Sequence, residues 1–307
     1  MSTKILDHIV HLTPPGSIAK TIESWEKLGF KVTPGGTHAD GLTENALVIL
    51  ADTTYLELIS FTHEPTYYTP GSSERAARDA HAWAGKVPGW IDFALLGFGT
   101  SNPAPKSYNL SSATPSTKTL EEQVFDLSDL INARAAREGS GAVYTPTRLT
   151  LSVTGGVSFR SSVEMSHNGN LENDPIIKVP VSRTSTTHPN TSRSVAYLRL
   201  HAPATVYPDI TKQIMSVIGV PPTVASPTES SWELQAPKHP DAILDYSIPR
   251  HNIPAAPRLV LSSTEPHSDE SIAETGRGVI EIAFWVEEGN EKEDKTPYGK
   301  IVWLAGK

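Results

Sequence analysis

Polar and apolar positions alternate along Lys4–Leu12 (KILDHIVHL), and its β-branched residues reinforce the strand this predicts. Pro14-Pro15-Gly16 breaks the pattern. Ser17 then stands ready to cap a helix over Ile18–Leu28, in which Ile18, Ile22, Trp25 and Leu28 fall on one stripe. Gly29 closes that helix, Phe30–Val32 begins a second strand, and Pro34-Gly35-Gly36 bends the chain into a polar loop. Ala46–Leu50 and Tyr55–Phe61 (YLELISF) predict a third and a fourth strand, joined by a turn over 51–54. The order is β-α-β-β-β.

The same order returns twice. After a polar connection with a helical piece at Ser73–Trp83, the spacing predicts a strand over Gly89–Phe98. A Ser/Thr/Pro-rich loop (101–118) leads to a helix over Leu120–Arg137 and to strand-like runs at Arg148–Val153, Val157–Arg160 and Ser162–Met165. Beyond a linker at 170–193, Val195–His201 predicts a strand and Ile210–Ile218 a helix ended by Gly219. Ser231–Gln235, Arg258–Ser262, Gly278–Val286 (GVIEIAFWV) and Ile301–Leu304 predict strands, with Glu287–Asp294 as a solvated acidic loop. The passages span residues 1–62, 88–170 and 194–307. This predicts an α+β chain of repeated β-α-β-β-β modules, whose mixed curved sheets carry helices on one side and form a concave cup.

Composition narrows the chemistry. The chain has 307 residues, a net charge of −8 and dispersed Lys and Arg, so no basic patch suggests a nucleic-acid partner. With no cysteine there is no disulfide, thiolate-held metal or thiol nucleophile. No apolar run approaches the length of a membrane span, and the amino terminus lacks the apolar core of a signal peptide, so a cytoplasmic protein without a membrane partner is the expectation. Nucleotide-binding glycine loops, serine elbows and H-E-x-x-H helices are missing.

Two strand residues stand out. His8 lies in the first strand, on a face with Leu6, Val10 and Leu12, while His11 points the other way with Asp7 and Ile9. Glu57 lies in the fourth strand with Tyr55, Ile59 and Phe61, where burial is costly unless the carboxylate is paired or metal-bound. Two readings follow: a divalent metal held from two strands of one unit, or a hydrogen-bonded core histidine beside a solvent-facing glutamate. His38 is either a ligand, base or substrate contact, or an exposed loop histidine. Asn45 serves a ligand carbonyl or caps a turn, and Trp90 and Trp285 form core or pocket wall.

The residues Asp7-His8, Gly35-Gly36-Thr37-His38, Thr43-Glu44-Asn45 and Tyr55-Leu56-Glu57-Leu58 together resemble the glyoxalase-like domain group of the vicinal oxygen chelate superfamily. The resemblance covers residues 4–61. It implies paired β-α-β-β-β modules around a divalent metal (zinc, nickel, manganese or iron), with ligands from first and fourth strands. On that pattern His8 and Glu57 are ligands, with His38 the leading third. The second passage offers Asp92, aligned with His8, as a substrate contact beside Trp90 and Asn45, and its fourth strand offers Glu164. The third passage offers Glu281, with GVIEIAFWV set parallel to YLELISF. Glu164 or Glu281 would move a proton. The implied function is a metal-dependent lyase or isomerase acting on a small oxygenated molecule, possible as a homodimer. The alternatives are a metal-free small-molecule binding protein and a ring-cleaving dioxygenase.

Overall fold

A computed structural model describes residues 3–96, 120–140, 144–146, 150–153, 159–160, 186–236, 256–263, 278–296 and 299–306. The first unit runs β1 (Ile5–Thr13), α1 (Ile18–Lys27), β2 (Thr33–Thr37), β3 (Thr43–Ile49) and β4 (Tyr55–Phe61). A short helix α2 (Ser73–Ala80) leads to β5 (Gly89–Leu96) and then to the helix α3 (Leu120–Glu138). Three short strands follow: β6 (Tyr144–Pro146), β7 (Thr150–Val153) and β8 (Phe159–Arg160). The rest comprises β9 (Ser194–His201), α4 (Tyr207–Ile218), β10 (Val224–Ala225), β11 (Glu229–Glu233), β12 (Arg258–Ser262), β13 (Gly278–Val286), β14 (Lys292–Thr296) and β15 (Gly299–Ala305).

The strands form a sheet of order β2-β3-β4-β1-β5, a second of order β10-β11-β12-β9-β13-β15-β14, and a small β6-β7-β8 sheet. In each large sheet the unit's first strand pairs in parallel with its fourth, β1 with β4 and β9 with β12. The next strand in sequence pairs antiparallel on the other side, β5 on β1 and β13 on β9.

Three boundaries differ from the sequence pattern. Phe30 and Val32 are core residues ahead of β2, which begins at Thr33. The helix expected over Ser73–Trp83 ends at Ala80, with the Ser72 hydroxyl capping its start. Part of the acidic 287–294 segment forms β14, which pairs with β15. A larger difference concerns GVIEIAFWV. The fourth strand of the third passage is β12, and β13 runs antiparallel to β9, where β5 stands relative to β1.

The two large sheets face each other across one apolar core. Leu6, Ile9, Leu56 and Leu58 of the first meet Leu198, Leu259, Ile282, Phe284 and Trp303 of the second, with Trp25, Ile131 and Ile214 from the helices. Phe30 packs 5.2 Å from Phe284, ring to ring. His188 bolts the units together: its Nδ1 accepts from the Lys31 N–H at 2.9 Å, and its Nε2 donates to the Ile49 carbonyl at 3.0 Å. Burial lowers its pKa.

Candidate metal centre

On β1 the alternation is interrupted. Leu6 pairs with Leu95 and His8 with Ala94, so Asp7 is an extra residue bulged out of the ladder. The bulge leaves Leu6 in the core and turns His8 to the outer face with Val10 and Leu12. The simple alternation expected for Leu6 and His8 therefore does not hold. The same bulge places the Asp7 carboxylate beside the imidazole, with His8 Nδ1 2.8 Å from Asp7 Oδ2. Tyr55, across the ladder, stacks on His8 at 4.7 Å. His8 Nε2 thus points toward Glu57, 3.9 Å from Oε2.

Glu57 is 2 % exposed among apolar neighbours. Asn45 Nδ2 donates to its Oε1 at 2.9 Å. Asn45 is held in turn by the Gly36 N–H, which donates to its Oδ1 at 3.2 Å. A Cβ on Gly35 would lie 2.0 Å from that same oxygen and 2.7 Å from the Asn45 carbonyl oxygen. The Gly-Gly pair is the gap that admits Asn45.

His38 arrives from the loop beyond β2, which Gly41 closes at φ +72° as its N–H donates to the His38 carbonyl. His38 Nδ1 lies 2.7 Å from Thr43 Oγ1, and Nε2 lies 3.7 Å from Glu57 Oε1 and 3.2 Å from Asn45 Nδ2. With a side chain 27 % exposed, His38 is the solvent side of the cluster.

The structure therefore brings His8, Glu57, His38 and Asn45 together. Asp92 stands on the same face, opposite Val10, whose other neighbour is Glu57. Trp90 is placed elsewhere: it packs in the core, 4.5 Å from the His11 ring and 5.7 Å from Trp25. Glu281 is also elsewhere, on the second sheet, where Tyr197 donates to it at 2.5 Å and Lys300 Nζ lies 3.1 Å away. Burial by itself would raise its pKa, but the Tyr197 and Lys300 bonds and the Arg199 charge hold it below the usual value. Glu164 lies outside the described residues. Asp7 and Thr43, which orient the two imidazoles, were not singled out in the sequence. Their adjacency in Asp7-His8 and Thr43-Glu44-Asn45 was the available signal.

Two imidazoles and a carboxylate suit a divalent ion in kind, and an imidazole held at Nδ1 is the arrangement metal-ligating histidines use. Among the described residues, no three His, Asp or Glu side chains already close around a common point. Two donors each about 2.1 Å from one ion stand roughly 3–3.5 Å apart, whereas the two imidazole–carboxylate gaps are 3.9 and 3.7 Å. Asn45 bridges the second gap. The residues fit such an ion in type and orientation, provided Asn45 releases His38 and the side chains draw in slightly.

A family model described as a glyoxalase-like domain matches residues 6–205. No curated protein matches the sequence. Among solved structures, a hypothetical protein from Staphylococcus aureus aligns at TM-score 0.52 and 8 % identity, over 98 % of this chain and 98 % of its own. A halotolerant catechol dioxygenase aligns at TM-score 0.47 and 10 % identity, over 99 % of this chain and 87 % of its own. The Mn(II)-bound glyoxalase from Novosphingobium aromaticivorans aligns at 0.46 and 11 %, over 99 % and 82 %. At 8 % identity the likeness to the Staphylococcus aureus protein speaks to fold alone. The bulged β-α-β-β-β units, the two mixed sheets and the family match lead to one assignment: this chain belongs to the glyoxalase-like domain family, with the vicinal oxygen chelate fold.

Proposed function

We propose that the outer face of the first sheet is the reaction site of a metal-dependent lyase or isomerase acting on a small oxygenated organic molecule. The observation that carries this is the pair of oriented imidazoles, His8 and His38, each with Nε2 turned toward the buried Glu57 carboxylate. His8, Glu57 and His38 would hold a divalent ion. When bound, such an ion supplies Lewis-acid polarisation of a substrate oxygen.

The chain's own groups supply the rest. Asp7 and Thr43 fix the ring orientations. Asn45 offers an amide N–H where substrate oxygen would lie, and the Tyr55 ring keeps water from one side of His8. Glu281 is engaged in the second sheet, and Asp92, across Val10 from Glu57, would contact substrate and accept a proton. Elemental analysis of untagged protein tests the reading. About one divalent ion per chain, removable by chelator and depleted in His8→Ala, is the expected result; protein that neither carries nor takes up a divalent ion contradicts it.

One observation favours a second reading, a metal-free binding protein: Asn45 already bridges His38 and Glu57 without an ion. Ligand affinity indifferent to chelator, with no product formed, would select it.

A further inference from the structure

The helix α2 docks on the first sheet through a charged residue. Of its eight residues Arg78 alone is buried, while Ala76, Ala77 and Ala80 face solvent. The guanidinium carbon of Arg78 lies 3.3 Å from the centroid of the Phe61 ring. Its Nε and Nη1 are enclosed and have no hydrogen-bond partner among the described residues. The carboxylate nearest in sequence is taken: Asp79 pairs with Arg75 at 2.7 Å. Glu64, Asp79 and the Tyr68 phenol act on Arg78 only through space. Burying a cation whose donors are unmet is costly, and a stacked ring replaces only part of its hydration.

Phe61 belongs to the candidate site's face. Glu57, Ile59 and Phe61 follow one another on one side of β4, and Phe61 clusters with Val10, Leu12 and Ile59. His81, just past α2, packs edge-on against Phe61 at 5.0 Å, and burial lowers its pKa. One face thus runs from His8, Glu57 and His38, over the apolar Val10 and Ile59, to Arg78. The backbone separation from Glu57 to Phe61 is roughly 13 Å.

We propose that Arg78 is the recognition group for a carboxylate on the substrate, and that the site takes a small carboxylic acid with an apolar body whose oxygenated end lies at Glu57. The proposal rests on the reading of this face as a small-molecule site. One unpaired guanidinium matches the single charge of a carboxylate, and Arg75, the neighbouring cation, is already neutralised by Asp79.

The test compares 4-(4-hydroxyphenyl)butanoate with its amide, 4-(4-hydroxyphenyl)butanamide, by NMR titration of the full chain. Wild type is expected to bind the acid about tenfold or more tightly than the amide. Arg78→Gln removes that preference, and Arg78→Lys keeps part of it. Equal affinities in wild type, no binding of the acid at millimolar concentration, or a preference that survives Arg78→Gln overturns the proposal. The wild-type comparison requires no variant to fold. Protein that takes up no divalent ion yet prefers the acid through Arg78 would break the metal reading alone; metal-loaded protein without the preference would break this one alone.

Discussion

Across the two large sheets, the same backbone plan carries different side chains. In β1 the bulged residue is Asp7 and in β9 it is Ala196; each is followed by a residue facing outward, His8 and Tyr197. A second bulge falls at Ile91 in one sheet and Ile280 in the other. By register Val260, beside Arg199, stands where Glu57 stands beside Val10, and Glu281 stands where Asp92 stands. The second sheet has therefore kept the fold and lost the acid behind the ring, the imidazole and the facing carboxylate. In their place is an ion-paired network of Tyr197, Arg199, Glu229, Glu281, Lys300 and Glu293. The comparison teaches that bulges and strand pairing build the scaffold, while three register positions decide whether it carries a candidate metal centre.

The largest expected effect tests whether the two halves share one core. Phe30 comes from the first unit and packs on Phe284 and Trp303 of the second. Phe30→Ala is expected to cost about 3–5 kcal/mol by denaturant unfolding; a cost below about 1 kcal/mol would show that the halves stand independently.

Next comes a pH effect confined to the first unit. Burial pushes the Asp52 carboxyl up to about 7 from 3.8. The folded state then holds a proton that the unfolded state has released, so stability declines as pH rises from 3.8 through about 7. The same arithmetic puts the loss at up to about 4 kcal/mol. Asp52→Asn should remove this decline, and parallel stability–pH curves for the two proteins would contradict it. His11 acts in the opposite sense. Burial holds its pKa down to about 3, so its contribution is lost as pH falls from 6.5 toward 3.

A smaller effect sharpens the difference between the bulges. Asp7→Asn should weaken divalent-metal affinity by roughly 10–100-fold, because the Nδ1 partner orients His8. The matching change in the second sheet, Ala196→Asp, should create no metal affinity. Smallest is Tyr197→Phe, expected to cost about 1 kcal/mol of stability and to leave metal binding unchanged; a loss of metal affinity there would erase the distinction between the sheets.

Much of this was legible in the sequence. Lys4–Leu12, Ala46–Leu50 and Tyr55–Phe61 carry the first unit, because each is a short run rich in apolar and β-branched residues that the fold buries along nearly its whole length. His8 and Glu57 were likewise visible as polar groups set among apolar strands, and His38 and Asn45 through the Gly-Gly-Thr-His and Thr-Glu-Asn segments. The bulge at Asp7 was not, since an inserted residue leaves no mark in an alternation of so few positions. The misassignment of GVIEIAFWV has a similar cause. Ile282, Phe284 and Val286 face the core as Leu56 and Leu58 do, and period alone does not say which neighbour a strand pairs with or in which direction. Arg78 escaped notice because an arginine in an Ala-rich helix ordinarily faces water.

The most direct test of the central claim is a calorimetric titration of chelator-treated protein with Mn(II), run on wild type, His8→Ala, Glu57→Gln and Tyr197→Ala. The account expects one site in wild type, weakened more than about 100-fold by the first two changes and untouched by the third. No site in wild type, or a site indifferent to His8 and Glu57, would contradict it.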